Sequence, residues 1–296
     1  MMHRQSIIII NPIAGTRRID GVENLIRNWI DLHQINCRIE TTKYRGHARE
    51  LASDAVSEGF NHFIVAGGDG TLNEVASALY LQQNDVTLGI IPVGSGNGLA
   101  LHLRLPKKTE KALDIAFGEK TLSCDVGLFN NIPFFSVAGV GFDAMVAYRF
   151  SQMKGRGLRN YIRAVMQNYP GFKPSDYCVE AEGKKITGRF LMISFANSNQ
   201  FGYNTSLSPE ASISDSLIDI CLMKKVPIPA AALLSPLLFL KKMNQTRYLK
   251  IIRTKKAQIT ASLPAYFHID GDPYILEKAD ILIETLPAAL NIHVKH

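Results

Sequence analysis

The sequence predicts two fold classes in one chain: an N-terminal α/β domain with a three-layer parallel sheet, and an all-β C-terminal domain built as an antiparallel β-sandwich. Up to about residue 125, short β-branched runs alternate with longer amphipathic stretches, an order typical of a parallel sheet with helices on both faces. Beyond residue 126, short alternating runs are separated by turn residues, which favours antiparallel strands. We therefore place the domains at 1–126 and 127–287, and expect residues 288–296 to return to the first domain.

Periodicity assigns the elements of the N-terminal domain in order. The predicted strands are Ser6–Ile10, Cys37–Thr41, His62–Ala66, Thr87–Ile91 and Thr121–Asp125. The predicted helices are Gly21–Leu32, Gly46–Glu58, Leu72–Leu81, Gly98–Leu103 and Glu110–Phe117. Ligands of such sheets lie at the carboxyl ends of the strands, so the loops that follow the strands are candidates for a site.

The C-terminal domain is predicted from shorter alternating runs. Its strands are Phe134–Ala138, Tyr177–Ala181, Arg189–Asn197, Leu217–Met223, Ala257–Ala261, Ala265–Asp270 and Ile281–Thr285. Helical insertions are predicted near Asp143–Gln167 and Pro229–Met243.

Composition supports a folded globular chain and narrows the class of protein. Of 296 residues, 46% are hydrophobic and 20% are charged, close to the averages for globular domains. The four cysteines are widely separated and form no Cys-x-x-Cys pair, so neither a disulfide framework nor a zinc knuckle is indicated, and a cytoplasmic location is expected. The longest apolar stretch, Val226 to Leu240, contains three prolines and is too short to span a bilayer.

The charge distribution favours acidic partners. The net charge is +7, and seven basic residues lie between Lys241 and Lys256, directly after the apolar stretch. An apolar segment beside a basic one is typical of a peripheral contact with an anionic membrane; the alternative is a buried helix followed by a strand with a solvated face. Nucleic-acid binding is not expected, because Tyr248 is the only aromatic residue in the basic segment.

Three loops rich in glycine or asparagine follow the first, third and fourth strands: Asn11–Gly15, Gly67–Thr71 and Gly94–Asn97. In the second loop, glycines allow backbone amides to approach an anion, and the following helix presents its positive end. Asp69 then lies where the magnesium-bound phosphates of a nucleotide are expected. A purely steric strand-to-helix turn is the alternative, but packing explains a carboxylate framed by three glycines poorly.

These loops resemble those of known kinases. Gly67–Thr71 resembles the nucleotide loop shared by the diacylglycerol and sphingosine kinase catalytic domain and by the NAD kinases, whereas Asn11–Gly15 and Gly94–Ala100 resemble the first and third loops of the lipid kinases. Further motifs follow in the same order: Asp125-Val126-Gly127, Ala138-Gly139-Val140-Gly141-Phe142-Asp143-Ala144, Ser208-Pro209-Glu210-Ala211 and Asp270-Gly271-Asp272. Over nearly its whole length the chain is similar to the bacterial diacylglycerol-kinase-like lipid kinases.

The resemblance implies an enzyme that uses ATP and Mg²⁺ to phosphorylate a hydroxyl group of a lipid, with an ATP-binding first domain and a lipid-substrate second domain. By position, the nucleotide-binding residues are Asn11, Pro12, Ile13, Ala14, Gly15, Thr42, Gly67, Gly68, Asp69, Gly70, Thr71, Leu72, Asn73, Gly94, Ser95, Gly96 and Asn97. Thr42 is chosen over Thr41 because it stands four residues before Gly46-His47-Ala48, the spacing of the relatives.

The resemblance also implies a structural magnesium site in the second domain, made by an aspartate and nearby backbone carbonyls. By register with Pro209-Glu210-Ala211, the aspartate is Asp215, and Ser212 and Leu217 supply the carbonyls. Oxygen-only ligation suits magnesium. Relatives usually carry Asp-Gly where this chain has Asp215-Ser216, so a plain surface turn is the alternative.

Members of the family use the acid of an Asp-Gly-Glu motif to accept the hydroxyl proton. The corresponding residue here is Asp272, which is shorter than glutamate by one methylene group. Asp69 is the second catalytic candidate, and Asp125 and Asp270 are candidates for positioning the metal or the acceptor. Many bacterial relatives carry an aspartate where this chain has Gly98, the residue typical of sphingosine and ceramide kinases.

The predicted partners are a lipid substrate and an anionic membrane surface. Diacylglycerol, monoacylglycerol, a sphingoid base, ceramide and phosphatidylglycerol all remain open as acceptors, because the shape of a pocket is not legible from one sequence. The alternative functions are an NAD-kinase-like small-molecule kinase and a catalytically impaired lipid- or nucleotide-binding regulator, the latter motivated by Gly98 and Asp272. The oligomeric state is open between a monomer and a homodimer.

Overall fold

The computed structural model describes residues 4–15, 20–82, 86–153, 155 and 157–295. The chain forms two compact units, the first made of Met1–Cys124 and Ala288–His296 and the second of Asp125–Pro287. The strands are β1 Ser6–Ile10, β2 Cys37–Thr41, β3 His62–Gly67, β4 Thr87–Pro92, β5 Thr121–Phe129, β6 Ile132–Phe134, β7 Val137–Gly141, β8 Ser175–Ala181, β9 Lys184–Phe190, β10 Met192–Ala196, β11 Ile218–Met223, β12 Leu249–Thr254, β13 Lys256–Ala261, β14 Ala265–Ile269, β15 Asp272–Leu276 and β16 Asp280–His293. The helices are α1 Asp20–His33, α2 His47–Ser57, α3 Asp69–Leu79, α4 Gly98–His102, α5 Thr109–Ala116, α6 Phe142–Ser151, α7 Leu158–Asn168, α8 Ile228–Leu234 and α9 Pro236–Phe239.

The first unit is built on a parallel sheet with the strand order β2-β1-β3-β4. The end of β16 extends it in the parallel sense, with Asn291 opposite Thr87. The order reverses between β1 and β3, so the topological switch point, where such sheets bind ligands, lies between these two strands.

Burial on both faces explains the continuous apolar run of β1. All four of its isoleucines have no exposed surface, as expected for a parallel strand covered by helices on both sides. On one face, Ile8 and Ile10 pack with Trp29 of α1 and Leu113 of α5. On the other face, α2 packs on β1 and α3 packs on β3. The predicted three-layer α/β architecture is confirmed.

The second unit contains two antiparallel sheets. One joins β13, β8, β9 and the first part of β16, and the other has the order β12-β11-β10-β7-β14-β15. Buried side chains from both sheets form one core, in which Phe129 stacks on Phe267 at 4.6 Å and meets Phe195 edge-on at 5.9 Å. Two sheets that share a core in this way form a sandwich, so the predicted fold of the C-terminal region is confirmed.

The helices of the second unit pack through an apolar cluster that includes Phe142, Met192 and Met223. Helices α8 and α9 contain no buried residue, although the sequence left open a buried helix in this segment. Within the described parts of the chain, no helix combines the length and apolar character needed to cross a bilayer.

Several element boundaries differ from the predictions. Helix α3 begins at Asp69 instead of Leu72. Gly68, the residue after β3, is extended and forms the N-cap, so the helix starts directly after it. The predicted strand Arg189–Asn197 is interrupted at Leu191 between β9 and β10. Strand β9 was not predicted, because its lysine and arginine residues hide the apolar alternation. Strand β12 lies in the basic segment, for which a strand with a solvated face was one of the two predicted alternatives.

Candidate functional site

Three loops meet at the carboxyl ends of β1, β3 and β4. Across the switch point, Asn11 Nδ2 donates a hydrogen bond to Thr71 Oγ1 at 2.7 Å. The backbone N–H groups of Val93 and Gly94 donate to the Gly67 carbonyl at 3.1 and 3.3 Å. The three glycine loops recognised in the sequence are therefore joined by hydrogen bonds into one crevice.

The walls of this crevice are backbone, because side chains do not fit. A Cβ on Gly94 would lie 2.4 Å from the Gly68 Cα. A Cβ on Gly15 would lie 2.3 Å from the Val93 carbonyl oxygen, and Gly15 also has a φ of +80°, which disfavours other residues. Such a backbone-lined surface is typical of loops that bind a polyphosphate through their N–H groups.

Asp69 is the first residue of α3 and holds the third loop in place. Its Oδ1 accepts a hydrogen bond from the Gly98 N–H at 2.6 Å. Its Oδ2 borders Gly96, where an added Cβ would lie 2.7 Å away. The carboxylate thus couples the loop after β3 to the loop after β4, a contact that the sequence did not predict.

Asn97, the residue before Gly98, supplies an acceptor that no described residue uses. It adopts the left-handed conformation with φ of 54°, and its Nδ2 donates to the Gly94 carbonyl at 2.6 Å. Its Oδ1 is buried and has no hydrogen-bond partner among the described residues. Buried acceptors are normally satisfied, and amide and carboxylate oxygens are the ligands that magnesium accepts. The residues present therefore fit a magnesium-bound nucleotide.

A fourth loop, between β2 and α2, borders the crevice on the β2 side. The buried Thr42 donates its N–H to the Ile10 carbonyl at 2.8 Å, which fixes it beside the end of β1. Glu74 of α3 accepts hydrogen bonds from the N–H groups of Gly46 at 2.9 Å and Ala48 at 3.2 Å. This glutamate therefore ties the start of α2 to the helix that follows the Gly-Gly-Asp-Gly segment.

The other residues of the expected nucleotide set differ in accessibility. Ile13 is 88% exposed, and Pro12, Gly70 and Ser95 are also exposed. Leu72 is buried in the core, and its N–H donates to the Gly68 carbonyl at 3.0 Å. Its side chain is therefore not accessible to a ligand.

The expected magnesium turn in the second unit forms despite its serine. Ser216 adopts the left-handed conformation with φ of 62°. The exposed Asp215 accepts the Leu217 N–H through Oδ1 at 3.0 Å, and the Ser214 N–H lies 3.4 Å from the Ser212 hydroxyl. No three His, Cys, Asp or Glu residues cluster in the described ranges. A metal here would depend on one carboxylate and backbone carbonyls, the donor set that the resemblance implies.

Asp125 holds this turn. The buried carboxylate accepts the Ser216 N–H through Oδ2 at 2.6 Å, and the Asp125 N–H donates to the Ile213 carbonyl at 2.6 Å. Asn197 Nδ2 donates to the Asp125 carbonyl at 2.9 Å. These bonds place Asp125 in a positioning role at the 212–217 turn.

Asp270 fixes the turn that carries Asp272. Its carboxylate accepts three backbone N–H groups, from Phe135 at 3.0 Å, Ser136 at 2.8 Å and Val137 at 3.0 Å. Asp272 is half-buried and begins β15 opposite Ile269. The first aspartate of the motif thus supports the strand connection, and the second stands at the start of a strand.

Sequence reasoning missed a buried polar cluster on α6, β10 and β14. Asp143 Oδ2 accepts hydrogen bonds from Ser194 Oγ at 2.9 Å and His268 Nε2 at 3.2 Å. These partners lie 51 and 125 residues from Asp143 in the chain. Only the fold brings them together, so no local pattern could have identified them.

Comparisons with known proteins agree with this architecture. Residues 5–129 match the model of the diacylglycerol kinase catalytic domain, and residues 136–294 match the model of the YegS C-terminal NAD kinase beta sandwich-like domain. The diacylglycerol kinase of Bacillus subtilis (strain 168) is 27% identical over 274 residues, covering 91% of this chain and 90% of the relative. A probable YegS-like lipid kinase of Klebsiella pneumoniae (strain 342) is 28% identical over 292 residues, covering 96% and 94%.

A solved structure shares the fold. The crystal structure of a putative diacylglycerol kinase from Bacillus anthracis str. Sterne superposes with a TM-score of 0.81 at 19% identity, covering 99% of this chain and 97% of that one. The two matched models together span most of the sequence in the order catalytic domain, then sandwich domain. The chain is therefore a kinase enzyme, and it belongs to the family of bacterial diacylglycerol-kinase-like lipid kinases.

Proposed function

We propose that this lipid kinase transfers the γ-phosphate of ATP, with Mg²⁺, to a hydroxyl group of a lipid such as diacylglycerol or a sphingoid- or ceramide-like lipid. The observation that carries the proposal is the backbone-lined crevice at the switch point, where Gly15, Gly94 and Gly96 leave no room for side chains. Backbone N–H groups in such loops, together with the first turn of α3, bind phosphate oxygens.

Each group in the proposed reaction has a defined task. Asp69 and Asn97 supply oxygens that would hold Mg²⁺ beside the phosphates. When bound there, the ion would neutralise charge on the transferring phosphoryl group. Asp272 accepts the proton of the lipid hydroxyl, and Asp270 positions the turn that carries it.

The structural metal of the second unit is a separate part of the proposal. Asp215 and the carbonyls of Ser212 and Leu217 would hold a second Mg²⁺. The left-handed Ser216 supports this arrangement, because it preserves the turn that glycine makes in relatives.

Identifying the phosphorylated product tests the proposed function. We would incubate the protein with radiolabelled ATP, Mg²⁺ and a total lipid extract, with a parallel reaction containing NAD, and separate the products. We expect the label in one lipid class. Label in NAD would support the small-molecule kinase, and ATP binding without any labelled product would support a regulator with impaired catalysis.

We also propose that α7, α8 and α9 contact the membrane. Leu233 and Leu240 are 79% and 62% exposed, and Lys241 and Lys242 directly follow Leu240. On α7, the exposed side chains at positions 158, 162 and 166 form an apolar stripe, beside which Arg159 and Arg163 are exposed. Burial of the apolar side chains and attraction of the basic ones to anionic head groups would add together.

A charge placed in this apolar surface tests the membrane contact. Leu233→Glu should lower the partition coefficient onto vesicles rich in phosphatidylglycerol about tenfold. The variant loses a leucine that would insert into the membrane and gains a charge that the anionic head groups repel. Leu81→Glu is the matched control, since Leu81 is 65% exposed in the first unit. Equal binding of the two variants in a flotation assay would show that this surface does not contact the membrane.

A further inference from the structure

An exposed aromatic ring stands in the loop between β2 and α2. Tyr44 is 57% exposed. Its ring stacks on His47 with the centroids 4.6 Å apart and an interplanar angle of 30°. Its hydroxyl group donates a hydrogen bond to Glu50 Oε2 at 2.5 Å. One ring face is thus supported and the hydroxyl is fixed, while more than half of the residue remains accessible.

The loop that carries Tyr44 is attached at both ends to the elements of the crevice. Before it, Thr42 is bonded to Ile10, the last residue of β1. After it, Gly46 is bonded to Glu74 of α3. In the strand order β2-β1-β3-β4, the loop therefore flanks the crevice on the side away from β4.

No other exposed phenylalanine, tyrosine or tryptophan side chain occurs among the described residues of the first unit. Its other exposed large apolar residues are Ile13, Leu25, Leu32 and Leu81. Leu25 and Leu32 lie on α1, and Leu81 follows α3, which runs away from the carboxyl edge of the sheet. Among the described phenylalanine, tyrosine and tryptophan residues of the first unit, Tyr44 on the β2 side is thus the one that offers an exposed ring to a nucleotide with its phosphates on the glycine loops.

We infer that Tyr44 is the platform on which the base of the bound nucleotide stacks, with His47 and Glu50 holding the ring in place. The inference rests on the proposed use of a nucleotide at this crevice. Stacking on an aromatic ring is tolerant of base identity, because every base has a π-face. Tyr44 thus contributes affinity for nucleoside triphosphates in general, and the glycine loops contribute affinity for the phosphates.

Calorimetric titration with two ligands separates these contributions. ATP and inorganic tripolyphosphate are titrated into the wild type, Tyr44→Ala, Tyr44→Phe and Leu32→Ala, all without lipid. Loss of stacking should weaken ATP binding to Tyr44→Ala by about tenfold, in a range of roughly 5- to 150-fold. Tripolyphosphate binding should stay within about twofold. Tyr44→Phe keeps the ring and loses only the hydrogen bond to Glu50, so it should lose much less ATP affinity than Tyr44→Ala. Leu32→Ala truncates an exposed residue far from the crevice and should bind ATP as the wild type does.

Three results would overturn the assignment of Tyr44 as the stacking platform. The first is ATP affinity of Tyr44→Ala within about twofold of the wild type. The second is an equal loss of tripolyphosphate affinity, which would indicate damage to the phosphate loops. The third is a wild type that binds ATP no more tightly than tripolyphosphate. Because lipid is absent, failure of phosphate transfer to lipid would contradict the proposed function without affecting this test.

Discussion

At Gly96 the crevice has no room for a single methyl group, since an added Cβ would lie 2.7 Å from Asp69 Oδ2. We expect Gly96→Ala to displace the carboxylate from the Gly98 N–H and to weaken ATP binding about tenfold, the effect of losing one charge-assisted hydrogen bond. Gly21→Ala is the control, because a Cβ there meets nothing within 4 Å in α1. It should leave ATP affinity unchanged and stabilise the fold by about 0.5–1 kcal/mol. Equal ATP affinity of the two variants in calorimetry would contradict this account of the loop.

The sequence predicted the three loops of the site better than the contacts between them. Gly94 and Gly96 were assigned to the site because their loop follows the fourth strand and resembles the third loop of the lipid kinases. The bond between Asp69 and Gly98 did not, because it depends on β3 and β4 being neighbours. Leu72 was placed in the ligand set, but α3 begins at Asp69, and its fourth residue points into the core.

The connection from β14 to β15 depends on one carboxylate. Replacement of Asp270 by alanine leaves three backbone N–H groups without this acceptor and puts alanine at φ of 48°. We expect a loss of about 3 kcal/mol in the free energy of unfolding, measured with urea. Asp176→Ala is the control, because Asp176 is exposed and its nearest cation, Arg189, is 3.8 Å away; it should cost less than about 0.5 kcal/mol. A similar small loss for both variants would show that Asp270 does not support the turn.

Elements with clear periodicity were predicted almost to the residue, and elements with interrupted periodicity were not. The bounds of β1 and β2 agree with the prediction. Strand β1 is a uniformly buried apolar run, β2 alternates apolar and polar residues, and turns bound both strands. Strand β9 was missed because Lys184, Lys185 and Arg189 dilute its apolar face. Strand β16 extends from Asp280 to His293, whereas only Ile281–Thr285 was predicted, because Pro287 reads as a strand terminator.

Across the whole molecule, acid stability depends on two buried histidines of the first unit. Arg4 Nη2 lies 2.9 Å from both His62 Nε2 and His293 Nε2, and the Ala116 carbonyl oxygen lies 2.9 Å from His62 Nε2. Burial, together with the charge of Arg4, lowers the pKa of His62 to about 3 and the pKa of His293 to about 4.

These lowered pKa values set the sign of the pH dependence. In the unfolded chain both histidines take up protons as the pH falls through about 6.5, whereas the folded chain does not until about pH 4. The stabilisation is therefore complete above about pH 6.5 and declines between pH 6.5 and pH 4, with a slope approaching 3 kcal/mol per pH unit for two protons, in order of magnitude. Urea unfolding from pH 7 to pH 5 measures it, and His293→Gln should roughly halve the slope. A flat stability profile over this range would contradict the neutral, buried state of the pair.

In the proposed function, the crevice organised by Asp69 transfers phosphate from ATP to a lipid. The most direct measurement compares lipid labelling from radiolabelled ATP by the wild type and by Asp69→Ala, with thermal unfolding of both proteins as the control for folding. We expect the wild type to label one lipid class and Asp69→Ala to label none while it unfolds near the wild-type temperature, because the variant loses the carboxylate that anchors Gly98 and that we propose as a ligand of Mg²⁺. Full labelling by Asp69→Ala would contradict the claim.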